Sequence, residues 1–342
     1  AEGARRRLRE HSVAEISAAL TARVATDRPF VERWVAFWSN HLCVSGAGTL
    51  PTAAFAGSYE REVIRRHALG RFEDMVLASA RHPAMLTYLD NAQSVGPESR
   101  GAQMASRRRR GPDRPPIGLN ENYARELLEL HTLGVTGGYT QDDVRELARI
   151  LTGWSVSGIG PMARQNALRR GAGGRGPDAD GQVGFVFQSL IHEPGSKTVL
   201  GRRYSEDGED EGVAVIRDLC RHPATATFVA SKLVRHFVSD ADDPASVDRV
   251  AAVFRDTEGD LREVARAVVH LESAWDPERA KFRTPQDWLV ALLRGVGSPE
   301  VPPAVLGVLQ ALRQPMWAPP SPKGYGDTVA DWADPDSLMN RA

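Results

Sequence analysis

The chain reads as a mainly α protein: a single multi-helix orthogonal bundle with a small β-hairpin near 183–204 and two long loops. Three observations carry that expectation. Apolar residues recur at helical spacing over most of the 342 positions. Proline and N-cap residues stand repeatedly where those periodic segments begin. One stretch alone, on either side of Glu193-Pro194-Gly195-Ser196, has the look of paired strands about a turn.

The elements follow in order. Val13, Ile16, Leu20 and Val24 make a helical stripe beginning at His11 or Ser12. After Asp27 and Pro29, the segment carrying Val31, Trp34, Val35, Phe37, Trp38 and Leu42 is apolar over a wide arc, which predicts burial on more than one side. Helices are expected near 58–68 and 70–80, and again after His82-Pro83. Residues 92–118 and 157–182 read as loops, the second rich in Gly and Arg like a disordered insertion. Between them helices are expected at 120–133 and 140–152, the latter capped by Thr140 with Asp142 and Asp143 in its first turn. Further helices are expected at 209–221, 223–238, 244–255, 260–271, 285–295 and 303–313. Trp317 and Trp332 should anchor the Pro- and Gly-rich tail. Arg81-His82-Pro83-Ala84 recurs as Arg221-His222-Pro223-Ala224, which predicts a reused helix–Pro–helix junction.

Composition narrows the function classes. With 43 basic and 44 acidic residues the formal charge is -1, against the basic excess of a dedicated nucleic-acid binder. No apolar run is long enough to span a bilayer. Two cysteines, Cys43 and Cys220, exclude a disulfide scaffold and are read as buried free thiols. Only four of the 43 basic residues are lysines: Lys197, Lys232, Lys281 and Lys323. That bias reads as genomic composition. The opening Ala1-Glu2-Gly3-Ala4, then Arg5-Arg6-Arg7, has no apolar signal core and reads as a processed or truncated end.

One segment is distinctive: Gly118-Leu119-Asn120-Glu121-Asn122-Tyr123-Ala124-Arg125-Glu126-Leu127-Leu128-Glu129-Leu130-His131-Thr132-Leu133-Gly134-Val135. It continues through Gly137-Gly138-Tyr139-Thr140 to Leu151-Thr152-Gly153-Trp154. Phe37-Trp38-Ser39-Asn40-His41, Ala68-Leu69-Gly70-Arg71-Phe72, His82-Pro83-Ala84-Met85-Leu86, the His192–Lys197 region, the Pro285 region and Gly324-Tyr325-Gly326 with Trp332 belong to the same pattern. Together they resemble the bacterial family DUF1800 over nearly the whole chain, read as one domain, 1–342, lacking the family's first segment. The resemblance implies a mostly helical, commonly exported protein, periplasmic or extracellular, and a DUF1501-type partner. It implies no activity. His192-Glu193 departs from the family's usual His-Asp, though a carboxylate is kept.

Candidate chemistry centres on the signature helix. At about 100° per residue, Asn122, Glu126 and Glu129 share one face, while His131 lies about 140° from Glu126. A Glu-x-x-His di-iron pattern is therefore absent. The candidate catalytic residues are Glu126, Glu129, His131, Asn122 and Arg125. Two carboxylates one turn apart could share a proton or hold a divalent metal. If folding gathers His41, Glu126, His131 and His192, the mixed N/O set suits zinc, iron or copper, and the cofactor is expected to be such a metal or haem. The competing structural readings are ion pairing with Arg125 or Arg149, a buried core role for His131, a helix-end role for His41, and turn orientation by His192. No nucleophile elbow, P-loop or His-Glu-x-x-His motif occurs. Gly171, Gly173 and Gly176 match dinucleotide spacing without the flanking strand and helix.

Three functions are weighed. The first is an exported enzyme, hydrolytic or redox, whose walls are the Asn40-His41 helix end, the Asn120–His131 helix, the Asp142-Asp143 helix start and the His192 hairpin. The second is a non-catalytic scaffold for the DUF1501-type partner. The third is polyanion or cell-wall binding through arginine loops such as Arg107–Arg110. The first is preferred, because acids, amides and histidines exceed what caps require.

Overall fold

A computed structural model describes residues 2–108, 118–159, 183–278, 281–298, 300–339 and 341. Most of the expected 157–182 loop, part of the 92–118 loop, Arg109 and Arg110, and Gly171, Gly173 and Gly176 lie outside the described residues. In chain order the helices α1 (Glu2–Ala25), α2 (Pro29–His41), α3 (Leu50–Tyr59), α4 (Phe72–Arg81), α5 (Pro83–Tyr88), α6 (Arg100–Arg108), α7 (Asn122–Glu126) and α8 (Gln141–Ile150) come first. Strands β1 (Trp154–Val156), β2 (Phe185–Phe187), β3 (Lys197–Val199) and β4 (Arg202–Tyr204) follow. Then come α9 (Glu209–Arg221), α10 (Pro223–Phe237), α11 (Pro244–Asp256), α12 (Leu261–Val269), α13 (Pro285–Gly295), α14 (Val305–Ala311), α15 (Val329–Trp332) and α16 (Pro335–Met339). Among the described residues the fold is mainly α, with two small antiparallel two-stranded sheets. Among the described residues no helix is long and apolar enough to cross a membrane.

The chain divides into two compact units: Ala1–Met75 with Pro223–Ala342, and Val76–His222. In the first unit, α2 buries Trp34, Val35, Phe37, Trp38 and His41, as its wide apolar arc requires. Trp34 and Phe37 pack on Phe237 of α10 with ring centroids 5.6 and 6.0 Å away, and Trp38 meets Phe72 at 5.5 Å. The Trp34 indole donates to the Ala68 carbonyl at 2.7 Å, so this large ring is buried with its polar atom satisfied. Beneath the tail, Leu20, Leu289, Val305, Leu309 and Met316 form a further buried cluster. Trp317 donates to Glu60 at 2.8 Å and Trp332 to the Gly326 carbonyl at 2.9 Å, so both expected anchors hold. Glu60 is buried among Arg23, Arg65 and Trp317. Burial pushes its carboxyl up, but these partners outweigh burial and hold it below the usual carboxylate range.

In the second unit, the Thr140 side chain caps α8 in a reciprocal capping box with Asp143. Both His-Pro junctions occur as expected: α4 ends at Arg81 and α5 starts at Pro83, while α9 ends at Arg221 and α10 starts at Pro223. The His82 ring also accepts from the Ala84 amide at 3.1 Å, a helix cap made by imidazole.

Four expectations are corrected. Residues 92–118 are not all loop: Ser99, whose hydroxyl accepts from the Ala102 amide at 3.2 Å, starts α6. The first helix begins at Glu2 rather than near His11. Helix 58–68 is instead α3 running into a π-helical turn, Glu60–Arg65. The hairpin turns at Leu200-Gly201, not at Pro194-Gly195. Leu200 and Gly201 both have positive φ, 51° and 74°, the left-handed pair a tight two-residue turn needs. Phe185–Phe187 then pairs with Trp154–Val156 instead of with β3.

Candidate functional site

The signature segment lies in the second unit and is not one regular helix. α7 passes into a π-helical turn, Leu127–His131, closed by the Thr132 hydroxyl on the Leu127 carbonyl at 2.6 Å. Such i→i+5 turns are rare in ordinary helices. They wind more residues per turn, so the ideal α angles overstate the separation between Glu126 and His131.

Glu126 lies close enough to Glu129 to feel its charge. Burial raises the Glu126 carboxyl pKa, Glu129 adds to the rise, and Arg125 opposes it. Glu129 accepts from the Tyr139 hydroxyl at 3.3 Å. Arg125 pairs with Glu121 at 3.0 Å and with Gln141, not with the two glutamates. Asn122 is exposed, its amide donating to the Asn120 side chain at 2.9 Å. His131 is buried, its ring 6.5 Å from Tyr123. Asp143 is committed to its capping box and to the Leu200 amide at 2.6 Å.

His192 is held at both ring nitrogens: Nδ1 lies 2.8 Å from the Thr152 carbonyl and Nε2 3.3 Å from Glu211. Lys197, fully buried, donates to Glu211 at 3.0 Å and to the Glu193 carbonyl at 2.7 Å. Glu193 is itself engaged by Arg149 at 3.2 Å and by the Glu98 amide at 2.9 Å. This network ties the hairpin to α8 and α9 with its charges paired. The four expected ligands divide between the units, His41 in the first and Glu126, His131 and His192 in the second. Among the described residues no group of three or more His, Cys, Asp or Glu side chains is gathered as a metal ion requires. The expected ligand set is therefore not assembled. Cys43 and Cys220 are both buried and not joined in a disulfide, as expected.

A different constellation forms in the first unit, from the end of α2, one face of α10 and the tail. On α10, Lys232 and His236 stand four residues apart, on one helical face. The tail is pinned by Asn40, whose amide donates to the Tyr325 carbonyl at 3.0 Å and accepts from its amide at 2.8 Å. Gly324 makes that approach possible. Its φ is +83°, and an added Cβ would sit 2.5 Å from the Asn40 carbonyl oxygen. Gly324→Ala should destabilise the protein by about 2–3 kcal/mol, read as a lower urea midpoint with unchanged m-value.

Beyond the pin, Asp331 accepts from the amides of Asp327 and Thr328, both at 2.9 Å, and fixes the turn. The turn presents Asp327 to His236, with Nδ1 2.9 Å from the carboxylate. Lys281 bridges Asp240 and the Asp327 carbonyl. Burial pushes the Asp327 carboxyl up, but His236, Lys281 and Arg33 outweigh it and hold the pKa below its ordinary value. His236 Nε2 is buried and has no hydrogen-bond partner among the described residues. The residue lines a cavity of about 60 Å³ shared with Ser39, Asn40, Cys43, Gln286, Tyr325 and Asp327.

A larger cavity, about 310 Å³, shares Asn40, Tyr325 and Asp327 with the first and is also lined by His41, Lys232, Arg235 and Lys323. Lys232 Nζ lies 3.0 Å from His41 Nδ1. The Lys232 chain keeps some exposure, yet its ammonium is desolvated enough for the pKa to fall to about 8.

The family model described as "Protein of unknown function (DUF1800)" matches residues 2–342. The chain belongs to the DUF1800 family. No curated protein and no solved structure matches it. In this DUF1800 chain, segments quoted for the resemblance at opposite ends of the sequence, Ser39-Asn40-His41 and Gly324-Tyr325-Gly326, meet at the His236–Asp327 pair.

Chemically, the DUF1800 pair can hold and move a proton. An ionised Asp327 fixes the Nδ1–H tautomer and leaves Nε2 as a base. His236, Asp327 and Lys232 are the residues that sequence reasoning missed. Lys232 was visible in the sequence only as one of four lysines among 43 basic residues, which marks none of the four for a role. Of the four, Lys197 is buried in an ion pair, Lys281 braces Asp327, and Lys232 and Lys323 line the cavity.

Proposed function

We propose that this protein is an enzyme of hydrolytic type in which His236, oriented by Asp327, is the general base. One observation supports the reading most: a buried imidazole held at Nδ1 by a carboxylate, with Nε2 unpartnered among the described residues, in a residue that lines a cavity. Leaving a buried polar nitrogen without a partner costs about 1–3 kcal/mol. A histidine kept only for structure would be expected to have both nitrogens engaged, as His192 does.

In the reaction, Nε2 takes a proton from water as its oxygen attacks an electrophilic carbonyl carbon or phosphorus. The imidazolium formed is stabilised by Asp327 and returns the proton to the leaving group. The hydrolytic branch of the sequence expectation is preferred because the residues that gather form an acid–base pair. Export and association with a DUF1501-type protein belong to the same proposal. Fractionation of cells and co-purification test them.

Hydrolysis of 4-nitrophenyl acetate and bis(4-nitrophenyl) phosphate tests the base directly. His236→Gln and Asp327→Asn should each lower kcat/KM about 10²–10⁴-fold, the thermal midpoint of His236→Gln staying close to that of the parent. Equal turnover by parent and His236→Gln, or no turnover of either probe above buffer, would reject the reading.

A further inference from the structure

The geometry points to the 310 Å³ cavity as an oxyanion subsite, in which Lys232, Lys323 and Arg235 hold a phosphoryl or carboxylate group of the substrate. The inference rests on the proposed hydrolytic reading and names the substrate class for it: small molecules carrying a negative group beside the bond to be cleaved.

The charge inventory of the cavity supports this. Three cations line it, from α10 and the tail, with two carboxylates, Asp327 and Asp331. Both carboxylates are committed. Asp327 holds His236, and Asp331 accepts from the Asp327 and Thr328 amides and from the Thr328 hydroxyl at 2.7 Å. The cations carry no ion pair among the described residues: Lys232 bonds to His41, and Lys323 acts on Asp331 only through its charge. Neither Lys323 nor Arg235 has an ion-pair partner among the described residues, and both are exposed at the cavity mouth.

Lys232 is the inner cation. Its ammonium carries three donors. One meets His41 Nδ1 at 3.0 Å, and the Phe228 ring centroid is 5.6 Å away. The groups that act on it are His41 and Cys43 from the end of α2, Arg235 on its own helix, and Lys323 and Asp327 from the tail. With no carboxylate bonded to it, a desolvated ammonium has donor capacity for an anion entering from the mouth. Because Asp327 lines both cavities, an anion held here lies beside the proposed base.

Isothermal titration calorimetry with inorganic phosphate, and separately with acetate, reads the site without needing turnover. Saturable 1:1 binding of at least one is expected, and which one binds tells a phosphoryl from a carboxylate site. Lys232→Met should weaken it at least about tenfold, and Lys323→Ala, at an exposed position, severalfold. Arg262→Ala, an exposed cation on α12, should leave it unchanged. His236→Gln should bind the anion normally while losing hydrolysis, which separates failure of this subsite from failure of the proposed base. No saturable binding of either anion, or unchanged affinity in both Lys232→Met and Lys323→Ala, would overturn the inference.

Discussion

Lys232→Met should make the protein more stable at pH 7, by about 1–3 kcal/mol, and raise its thermal midpoint. The reason is the environment of the ammonium. Burial, the largest influence, outweighs the distant attraction of Cys43 and Asp327, so the Lys232 pKa falls from 10.5 to about 8. A lysine that binds its proton less tightly when folded than when unfolded subtracts stability wherever both states are charged. That cost is full below pH 8. It shrinks as pH rises from about 8 to 10.5, because there the unfolded chain binds more protons than the folded one. Urea unfolding of parent and Lys232→Met at pH 7 and pH 10 reads both predictions. The gap should be wide at pH 7 and cut to about a quarter of that at pH 10. A variant less stable than its parent at pH 7 would show that the ammonium is held by a partner and is not strained. Stability given up at a site is the pattern expected where a residue is kept for binding.

The same substitution at Lys197, which is fully buried, should have the opposite sign. Lys197→Met should cost about 3–5 kcal/mol. Lys197 and Glu211 are both fully buried and 3.0 Å apart, and the ammonium also satisfies the Glu193 carbonyl at 2.7 Å. Removing it leaves the Glu211 carboxylate with His192 at 3.3 Å and one oxygen, Oε1, already without a hydrogen-bond partner. Replacing both partners removes the stranded charge, so Lys197→Met with Glu211→Leu should recover much of the loss. A double-mutant cycle by urea denaturation measures it. Additive losses, or a neutral single variant, would mean the pair is not coupled.

These two lysines show where sequence reading stops. Both belong to the same short inventory of four, and nothing local distinguishes them. Lys197 meets its carboxylate 14 residues away, and Lys232 meets its imidazole 191 residues away. The His236–Asp327 pair is separated by 91 positions, one member on a helix and the other in a Pro- and Gly-rich tail with no periodicity to read. The signature segment attracted attention because its polar residues are dense and contiguous. Much of that density is spent locally: Arg125 on Glu121 and Gln141, and Asp143 on its cap. Glu126 and Glu129 act on one another electrostatically, while the π-helical turn that follows could not be seen in a pattern of apolar residues.

What the chain's own order determined is what short-range physics controls. Helices at 209–221 and 285–295 appear with the expected bounds, since each is set by a periodic apolar face and a proline or an acidic first turn at its start. Caps, His-Pro junctions and the mainly helical class follow from neighbours a few positions apart. The tertiary structure alone decided which polar groups would be left without a partner. The His236 Nε2 atom is buried without a partner among the described residues, and the Lys232 ammonium is desolvated with only an imidazole beside it, because folding removed their water. That is a property of distant segments brought together, and no window of sequence contains it.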